Sequence, residues 1–219
     1  MNSEKVYNIY HDYPIVEASN TRLSKHALQY LYIKRGIDIV LAGIGFLLSL
    51  PIILVFALLI VLETPGSPFY FQDRLGKNGK TFKIIKLRSM RIDAEKEGAK
   101  WAAKEDCRVT KVGKFIRKTR IDELPQLLLV LKGDMSIVGP RPERPVFAKQ
   151  FSKEIKGFEN RLLVKPGLTG LAQVNGGYNI TPKEKLRYDL EYIKNLAFVL
   201  ELKIILKTFK ILFTGEGAR

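Results

Sequence analysis

The residues best suited to chemistry in this sequence are two adjacent carboxylates, Asp122 and Glu123. The hydrophobic pattern places them at a helix start, with Thr119 three residues before Asp122 as a possible N-cap. Arg117 and Arg120 lie in the same turn. Phosphoryl transfer needs this set: cations for phosphate oxygens, a carboxylate for Mg²⁺ and an ionised nucleophile. Plain compensation of the helix dipole would also place acidic residues here, and that interpretation stays open.

A second candidate lies in the GPRPE turn at residues 139–143. Pro140 and Pro142 restrict the backbone on both sides of Arg141, which fixes the direction of its side chain. A fixed guanidinium suits bidentate contact with a phosphate. A structural turn whose arginine caps a helix end would have the same sequence.

A small folded unit must position these groups. Residues 69–71 and 81–87 are β-prone and lie on either side of an Asn78-Gly79 turn signal, which predicts a hairpin. Three helices are predicted at residues 92–104, 111–118 and 123–131. The expected fold class is therefore α/β in the broad sense, an α+β fold that is mostly helical with a small β-hairpin.

The longest apolar run covers residues 39–62, about 24 residues without a charged side chain. At about 1.5 Å per residue, a helix here would reach about 36 Å and cross a hydrocarbon layer of about 30 Å. A signal peptide is disfavoured, because the run is too long, starts far from Met1 and lacks a small-residue cleavage site. Pro51 predicts a bend at the midpoint, where the Ser49 hydroxyl can bond freed backbone groups.

Cations lie on both sides of this run. Lys34 and Arg35 precede it, and the cations that follow are Arg74, Lys77, Lys80 and Lys83. Both ends then belong on the cytoplasmic side, which favours a re-entrant hairpin over a kinked span. We predict a membrane anchor that includes Lys34, Arg35, Ser49 and Pro51.

The C-terminal region, residues 183–213, repeats apolar side chains at spacings of three, four and seven, with lysines on the other faces. This pattern predicts amphipathic helix. Such a helix either packs on the core with a solvated face or lies in the lipid interface, and both alternatives stay open.

Composition limits the possible partners and the number of domains. Lys and Arg outnumber Asp and Glu by 37 to 22, a net charge of +15, which favours nucleic acid, phosphorylated substrates or an acidic membrane. The single Cys107 excludes an intramolecular disulfide. A chain of 219 residues suits one domain with an appendage. We predict a loosely ordered arm over residues 1–30, a membrane-inserted helix over 31–64 and a catalytic domain over 65–219.

Five motifs follow one another along the chain: KRGID at residues 34–38, QDRLGKNGKTFKIIKLRSM at 72–90, IDELPQ at 121–126, KGDMSIVGPRP at 132–142 and PGLTGLAQVNG at 166–176. Together they resemble the bacterial sugar transferases, the monotopic phosphoglycosyl transferases. The resemblance covers roughly residues 32–214 and is to the compact, catalytic-core form of the family.

The resemblance implies a mechanism. Asp122 would attack the β-phosphate of a UDP-sugar, UMP would leave, and undecaprenyl phosphate would accept the phosphosugar from the covalent intermediate. Glu123, together with Asp122, would ligate Mg²⁺. Arg117 and Arg141 would contact phosphate, and Asp189 would belong to the same pocket.

The resemblance also extends the expected site and its setting. Lys86 and Arg88, in the second motif, are further candidates for substrate binding. A re-entrant helix would hold the enzyme in the bacterial cell membrane, with its catalytic domain on the cytoplasmic face. The reaction would be the first membrane step of exopolysaccharide, capsule or glycoconjugate assembly. Two positions depart from the family: Gly177, where many members carry arginine, and Glu201, where aspartate is common on what we interpret as a surface helix.

Two other functions compete with this one. A membrane-anchored nucleic-acid binder is disfavoured, because the basic stretches contain few interleaved aromatic residues, so no nucleic-acid partner is expected. A noncatalytic scaffold of the same fold is disfavoured by the intact Asp122-Glu123 pair. The sequence names neither the sugar nor the oligomeric state.

Overall fold

The computed structural model describes residues 23–94, 106–176 and 180–214. Its helices are α1 (Lys25–Glu63), α2 (Lys111–Lys118), α3 (Leu127–Lys132), α4 (Pro145–Glu154), α5 (Leu171–Gly176), α6 (Pro182–Lys194) and α7 (Phe198–Thr214). Its strands are β1 (Phe69–Leu75), β2 (Thr81–Leu87), β3 (Ser136–Val138) and β4 (Gly167–Thr169), and short 3-10 helices cover Lys77–Gly79, Ile121–Gln126 and Phe158–Leu163. The predicted α+β class is confirmed. Gly177, most of the predicted arm and most of the predicted helix over 92–104 lie outside the described residues.

Helix α1 is continuous over 39 residues and begins six residues before the predicted boundary at residue 31. The Ser24 hydroxyl caps it by accepting a hydrogen bond from the Ala27 amide at 3.1 Å. The Ser49 hydroxyl donates to the Phe46 carbonyl at 3.2 Å, in the turn where Pro51 removes a backbone donor. In the described chain, α1 is the one helix long and apolar enough to cross a membrane. Its re-entrant course stays a prediction.

Most of the apolar surface of α1 is exposed. Leu47, Leu48 and Leu62 have 71%, 73% and 73% of their surface accessible, the opposite of a core helix in a water-soluble protein. Ala42 and Ile53, by contrast, are buried against the rest of the chain. The helix thus presents a narrow stripe to the folded domain and a broad apolar surface suited to lipid.

Strands β1 and β2 form the predicted antiparallel hairpin, and Asn78 closes its turn with a left-handed φ of 56°. The register pairs Tyr70 with Lys86, so these two side chains share one face of the hairpin. Leu87 and Phe69 pack against α1 in one apolar cluster. The hairpin therefore runs from the end of α1 into the domain and carries Lys86 toward the predicted site.

Lys34 and Arg35, two predicted residues of the membrane anchor, bond to the folded domain, and their role at the membrane stays a prediction. Lys34 is buried, and its Nζ lies 2.7 Å from Glu201 and 3.5 Å from Asp38. Arg35 donates to the carbonyls of Val130 and Leu131, at the end of α3, at 2.6 and 2.8 Å. Both cations attach α1 to the domain, and the charge of the buried Lys34 is stable there because it is paired.

The amphipathic C-terminal region folds as two helices, α6 and α7, with a break between residues 194 and 198. Glu201 is buried and accepts hydrogen bonds from Tyr30 and Tyr192 at 2.9 and 2.6 Å, so its expected position on a surface helix is wrong. Leu206 and Phe209 on the other face are more than half exposed. Helix α7 therefore packs on the core with one face and leaves an apolar face open.

The parallel strands β3 and β4 support the turn at residues 139–142 through a close backbone contact. Gly139 N donates to Thr169 O, and Gly167 N donates to Pro140 O, both at 2.9 Å. A Cβ atom at Gly167 would collide with Gly139 N and Thr169 O. This contact requires glycine at position 167.

We expect Gly167→Ala to lower the free energy of unfolding by about 3 kcal/mol, because the colliding atoms belong to the backbone and cannot rotate away. Gly36→Ala is the matched control. No atom lies within 4 Å of its added Cβ, and alanine in a helix interior should stabilise by about 0.5–1 kcal/mol. The measurement is thermal unfolding of both variants in detergent. Equal unfolding midpoints for Gly167→Ala and Gly36→Ala would contradict the expectation.

Candidate active site

Asp122 and Glu123 lie in the 3-10 helix that follows α2. Arg120 connects the two helices in the left-handed conformation, with φ of 59°, and its carbonyl accepts the Glu123 amide at 3.1 Å. Thr119 does not cap this helix: its hydroxyl donates back to the Phe115 carbonyl in α2 at 2.9 Å. The predicted N-cap is therefore wrong. A sharp turn, rather than a capped α-helix, brings both carboxylates inward, where each is less than 9% exposed.

The two carboxylates meet cations from two distant parts of the chain. Glu123 Oε1 lies 2.6 Å from Lys86 Nζ and 2.6 Å from Arg141 Nη2. The same lysine lies 3.6 Å from Asp122 Oδ2, and Arg120 lies 3.8 Å from Glu123 Oε2. Charge-assisted contacts of this length are strong in a partly buried site. The hairpin, the 3-10 helix and the GPRPE turn thus converge on one point, as the motifs predicted for Lys86 and Arg141.

Burial and ion pairing shift the pKa values of Asp122 and Glu123 in opposite directions. Burial opposes ionisation of Glu123, but Arg141, Lys86 and Arg120 outweigh it and hold the pKa of Glu123 well below its usual range. Burial raises the pKa of Asp122 more than Lys86 lowers it, and the adjacent Glu123 adds to the rise. Glu123 is therefore held in its ionised form. The ionisation of Asp122 depends on the cations that approach it.

These carboxylates line a cavity of about 420 Å³. Among the residues that the structure describes, ten cationic side chains line it against three acidic ones, so its interior suits a polyanion. The cationic residues are Arg74, Lys86, Arg88, Arg91, Arg108, Arg117, Arg120, Arg141, Arg144 and Lys185. The predicted residues Lys86, Arg88, Arg117 and Arg141 are all among them.

Arg88 ties this cavity to the end of the apolar helix. Its Nη2 donates to the Thr64 carbonyl at 2.6 Å, and its Nη1 donates to the Pro65 carbonyl at 2.9 Å. The residue is 7% exposed, so most of its side chain serves this attachment. One residue of the cavity lining therefore contacts the chain where it leaves α1.

Asp189 is not one of the cavity-lining residues, contrary to the expectation that it shares the pocket. It is 1% exposed and lies 2.7 Å from Nη2 of the buried Arg161. Arg161 in turn donates to the Arg141 carbonyl at 2.8 Å. Asp189 therefore acts behind the cavity, where it fixes the arginine that supports the GPRPE turn.

Arg74, Glu143 and Lys185 are among the cavity residues that were not predicted from the sequence. Arg74 donates to the Pro142 carbonyl at 3.0 Å, and Glu143 Oε1 lies 2.5 Å from Lys185 Nζ. Alternation along β1 offered a signal for Arg74, since it shares a face with Tyr70. No local pattern indicates the contact between Glu143 and Lys185, which are 42 residues apart.

The Glu143 contacts predict acid-sensitive stability. Burial opposes its ionisation, but Lys185 and Arg161 outweigh burial and lower its pKa from 4.5 to about 2. Because the folded pKa is the lower one, the stabilisation is complete above about pH 4.5 and is lost as pH falls toward 2. We expect native protein to lose about 3 kcal/mol over this range from this group.

Unfolding of native protein and Glu143→Gln at several pH values between 6 and 2 checks this expectation. The variant should be less stable at pH 6 and should show a flatter decline. Glu154→Gln, an exposed glutamate on α4, is the matched control. Parallel curves for native protein and Glu143→Gln would contradict the assignment.

The site also fits a divalent cation that takes few protein ligands. In residues 23–94, 106–176 and 180–214, no group of three or more His, Cys, Asp or Glu side chains is arranged to hold a metal. Mg²⁺ commonly takes one or two carboxylates and completes its shell with water and substrate phosphate oxygens. Asp122 and Glu123 would be the ligands in that mode, and Glu123 already contacts Lys86 and Arg141.

Similar proteins identify the family of this chain. The sequence model described as bacterial sugar transferase matches residues 29–215. The chain is 57% identical, over 74% of its length and 90% of the relative's, to a Bacillus subtilis protein provisionally named as an undecaprenyl-phosphate N-acetylgalactosaminyl 1-phosphate transferase. It is 48% identical, over 87% of its length, to the UDP-N-acetylgalactosamine-undecaprenyl-phosphate N-acetylgalactosaminephosphotransferase of Aeromonas hydrophila.

A third relative is the UDP-glucose:undecaprenyl-phosphate glucose-1-phosphate transferase of Escherichia coli, 40% identical over 85% of this chain. The chain spans 46% of the Aeromonas protein and 41% of the Escherichia protein, so it corresponds to less than half of each. The family match covers most of the chain and includes the hairpin, the carboxylate pair and the GPRPE turn. The chain therefore belongs to the bacterial sugar transferase family and is an enzyme of that family.

Proposed function

We propose that this enzyme transfers a sugar 1-phosphate from a UDP-sugar to undecaprenyl phosphate through a covalent intermediate on Asp122. The observation that carries the proposal is the position of the Asp122-Glu123 pair: it lies in a strongly cationic cavity whose lining residue Arg88 bonds the chain at the end of an exposed apolar helix. The named activities of the relatives support the same substrates.

In the first step, an Asp122 carboxylate oxygen attacks the β-phosphorus of the UDP-sugar. The bond between this phosphorus and the bridging oxygen breaks, and its electron pair leaves with UMP. Arg141 and Lys86 lie beside the carboxylates and would contact the phosphoryl oxygens as charge moves to the leaving group. The product is a sugar phosphate bonded to Asp122.

In the second step, a phosphate oxygen of undecaprenyl phosphate attacks the same phosphorus. The bond to the Asp122 oxygen breaks, which restores the carboxylate and yields the lipid diphosphate sugar. The anionic lipid phosphate must approach an anionic phosphodiester here, just as the Asp122 carboxylate does in the first step, so cations have to screen the repulsion. Mg²⁺ held by Asp122 and Glu123 would supply further positive charge at the diphosphate.

The same geometry supports a setting at the membrane surface. The lipid tail stays in the bilayer, so its phosphate reaches the protein at head-group depth. The exposed apolar surface of α1 would hold the enzyme in the membrane, and Arg88 in the cavity lining bonds the chain at the end of that helix. We place the catalytic domain on the cytoplasmic face, where UDP-sugars are available.

The experiment that tests the proposal is UMP release from a panel of UDP-sugars by protein in nanodiscs with undecaprenyl phosphate. UDP-N-acetylgalactosamine is the first donor to try, because two relatives carry that sugar in their names. Release that needs the lipid acceptor for turnover, and that stops when EDTA removes Mg²⁺, supports the mechanism. No UMP release with any UDP-sugar of the panel would refute the mechanism and favour a noncatalytic scaffold. Salt-sensitive DNA binding would favour a nucleic-acid binder.

A further inference from the structure

The cavity has two ends that differ in their distance from the apolar helix. One end lies at Arg88, which bonds the Thr64 and Pro65 carbonyls where α1 stops. From there β1 leads away over seven residues, about 20 Å of extended chain, until Leu75 N donates to the Glu143 carbonyl at 3.0 Å. Helix α4 begins just beyond Glu143, so its first turn forms the far end.

A flat pair of side chains lines this far end. The Arg144 guanidinium carbon lies 5.6 Å from the centre of the Phe147 ring, and both residues line the cavity. Phe147 is held from behind by the buried Phe151, at a ring separation of 6.5 Å and an angle of 24°. Phe151 packs edge-on against Phe158 at 5.3 Å. The Arg144-Phe147 pair is thus a supported surface that is itself only half buried.

The two substrates of the proposed function carry different groups on the phosphate that lies opposite Asp122. An in-line attack by the lipid phosphate starts from the position that UMP has left, but the lipid tail remains in the bilayer, on the side of α1. The nucleotide is soluble, and its base is separated from the reacting β-phosphorus by a ribose and a second phosphate. With that phosphorus at Asp122, the base would extend away from α1, toward the start of α4. Arg74 lies along this path, bonded to the Pro142 carbonyl.

We propose that the Arg144-Phe147 pair is the stacking platform for the uracil base of the donor nucleotide. The inference rests on the proposed function, since it takes the reacting phosphorus to lie at Asp122. Aromatic rings and arginine planes both stack on bases, and neither needs a particular hydrogen-bond pattern from its ligand. The platform therefore explains affinity for the nucleoside part of the donor.

The test is binding of UDP to the full chain in nanodiscs, measured by calorimetry without sugar or acceptor lipid. Phe147→Leu keeps an apolar side chain without the ring and is expected to raise the Kd for UDP about tenfold. Phe147→Tyr keeps the ring and should stay within about twofold of native. Val146→Ala is the matched control, because Val146 is 61% exposed on the same helix and does not line the cavity.

Transfer kinetics give a second readout: Phe147→Leu should raise the KM for the UDP-sugar and leave the KM for undecaprenyl phosphate unchanged. Equal UDP affinity in native protein and folded Phe147→Leu would overturn the inference, as would an effect on the lipid KM alone or native protein that binds no UDP. Native protein that binds UDP through Phe147 but transfers no sugar phosphate would sustain the platform and refute the proposed reaction.

Discussion

Replacing Asp122 by asparagine is expected to lower the rate of sugar-phosphate transfer at least about 10³-fold. The amide has the shape of the carboxylate but no charge, and its oxygen is a poor nucleophile. The fold should survive, because burial opposes the charge of Asp122 and raises its pKa, so a neutral side chain of the same shape adds no desolvation cost. The variant therefore separates chemistry from folding.

Two measurements check this expectation. The first is UMP release in nanodiscs. The second is the intact mass of the protein after incubation with the UDP-sugar but without lipid, in which native protein should gain one sugar phosphate and Asp122→Asn should gain none. Asp73→Asn is the matched control, since Asp73 lies on the hairpin outside the cavity and pairs with the exposed Lys83 at 3.2 Å. A variant that keeps a tenth of the native rate would exclude Asp122 as the nucleophile.

Replacing Asp189 by alanine is expected to destabilise the folded protein by about 3 kcal/mol or more. Asp189 Oδ2 accepts from Arg161 Nε at 2.9 Å and lies 2.7 Å from its Nη2, and both residues are almost fully buried. Alanine would leave the guanidinium with Glu143, at 3.5 Å, as its remaining carboxylate. Arginine cannot escape this cost by losing a proton. The transfer rate should fall as well, because Arg161 also holds the Arg141 carbonyl.

Replacing the other partner of the pair, as in Arg161→Met, should lower the free energy of unfolding less than Asp189→Ala does. Burial raises the pKa of Asp189 even beside the arginine, so a carboxyl group left alone can take up a proton and become neutral. The double variant Arg161→Met with Asp189→Leu should be more stable than Asp189→Ala alone, because it leaves neither charge unpaired. Denaturant unfolding in detergent orders the three variants. Asp189→Ala within 1 kcal/mol of native, or Arg161→Met as the more costly change, would contradict this account.

The features predicted well from the sequence are those that depend on neighbouring residues. The hairpin follows from β-prone segments around Asn78, and the apolar helix follows from uninterrupted hydrophobic composition. Errors arose where a local pattern had more than one physical solution. Thr119 had the right residue type and spacing for an N-cap, but its hydroxyl bonds the preceding helix instead. The periodic C-terminal run is compatible with one helix or two, and the chain breaks it after Lys194.

The sequence by itself determined the apolar helix, the hairpin and, through its motifs, the family and the Asp122-Glu123 pair. Only the tertiary structure decided which charges pair. Lys34 lies 2.7 Å from Glu201, and Arg161 joins Asp189 to the back of the GPRPE turn. The physical reason is the separation along the chain between the residues that interact. Hydrophobic periodicity reports which face of an element is buried, whereas the partner of a buried charge is chosen by the packing of elements far apart in the chain.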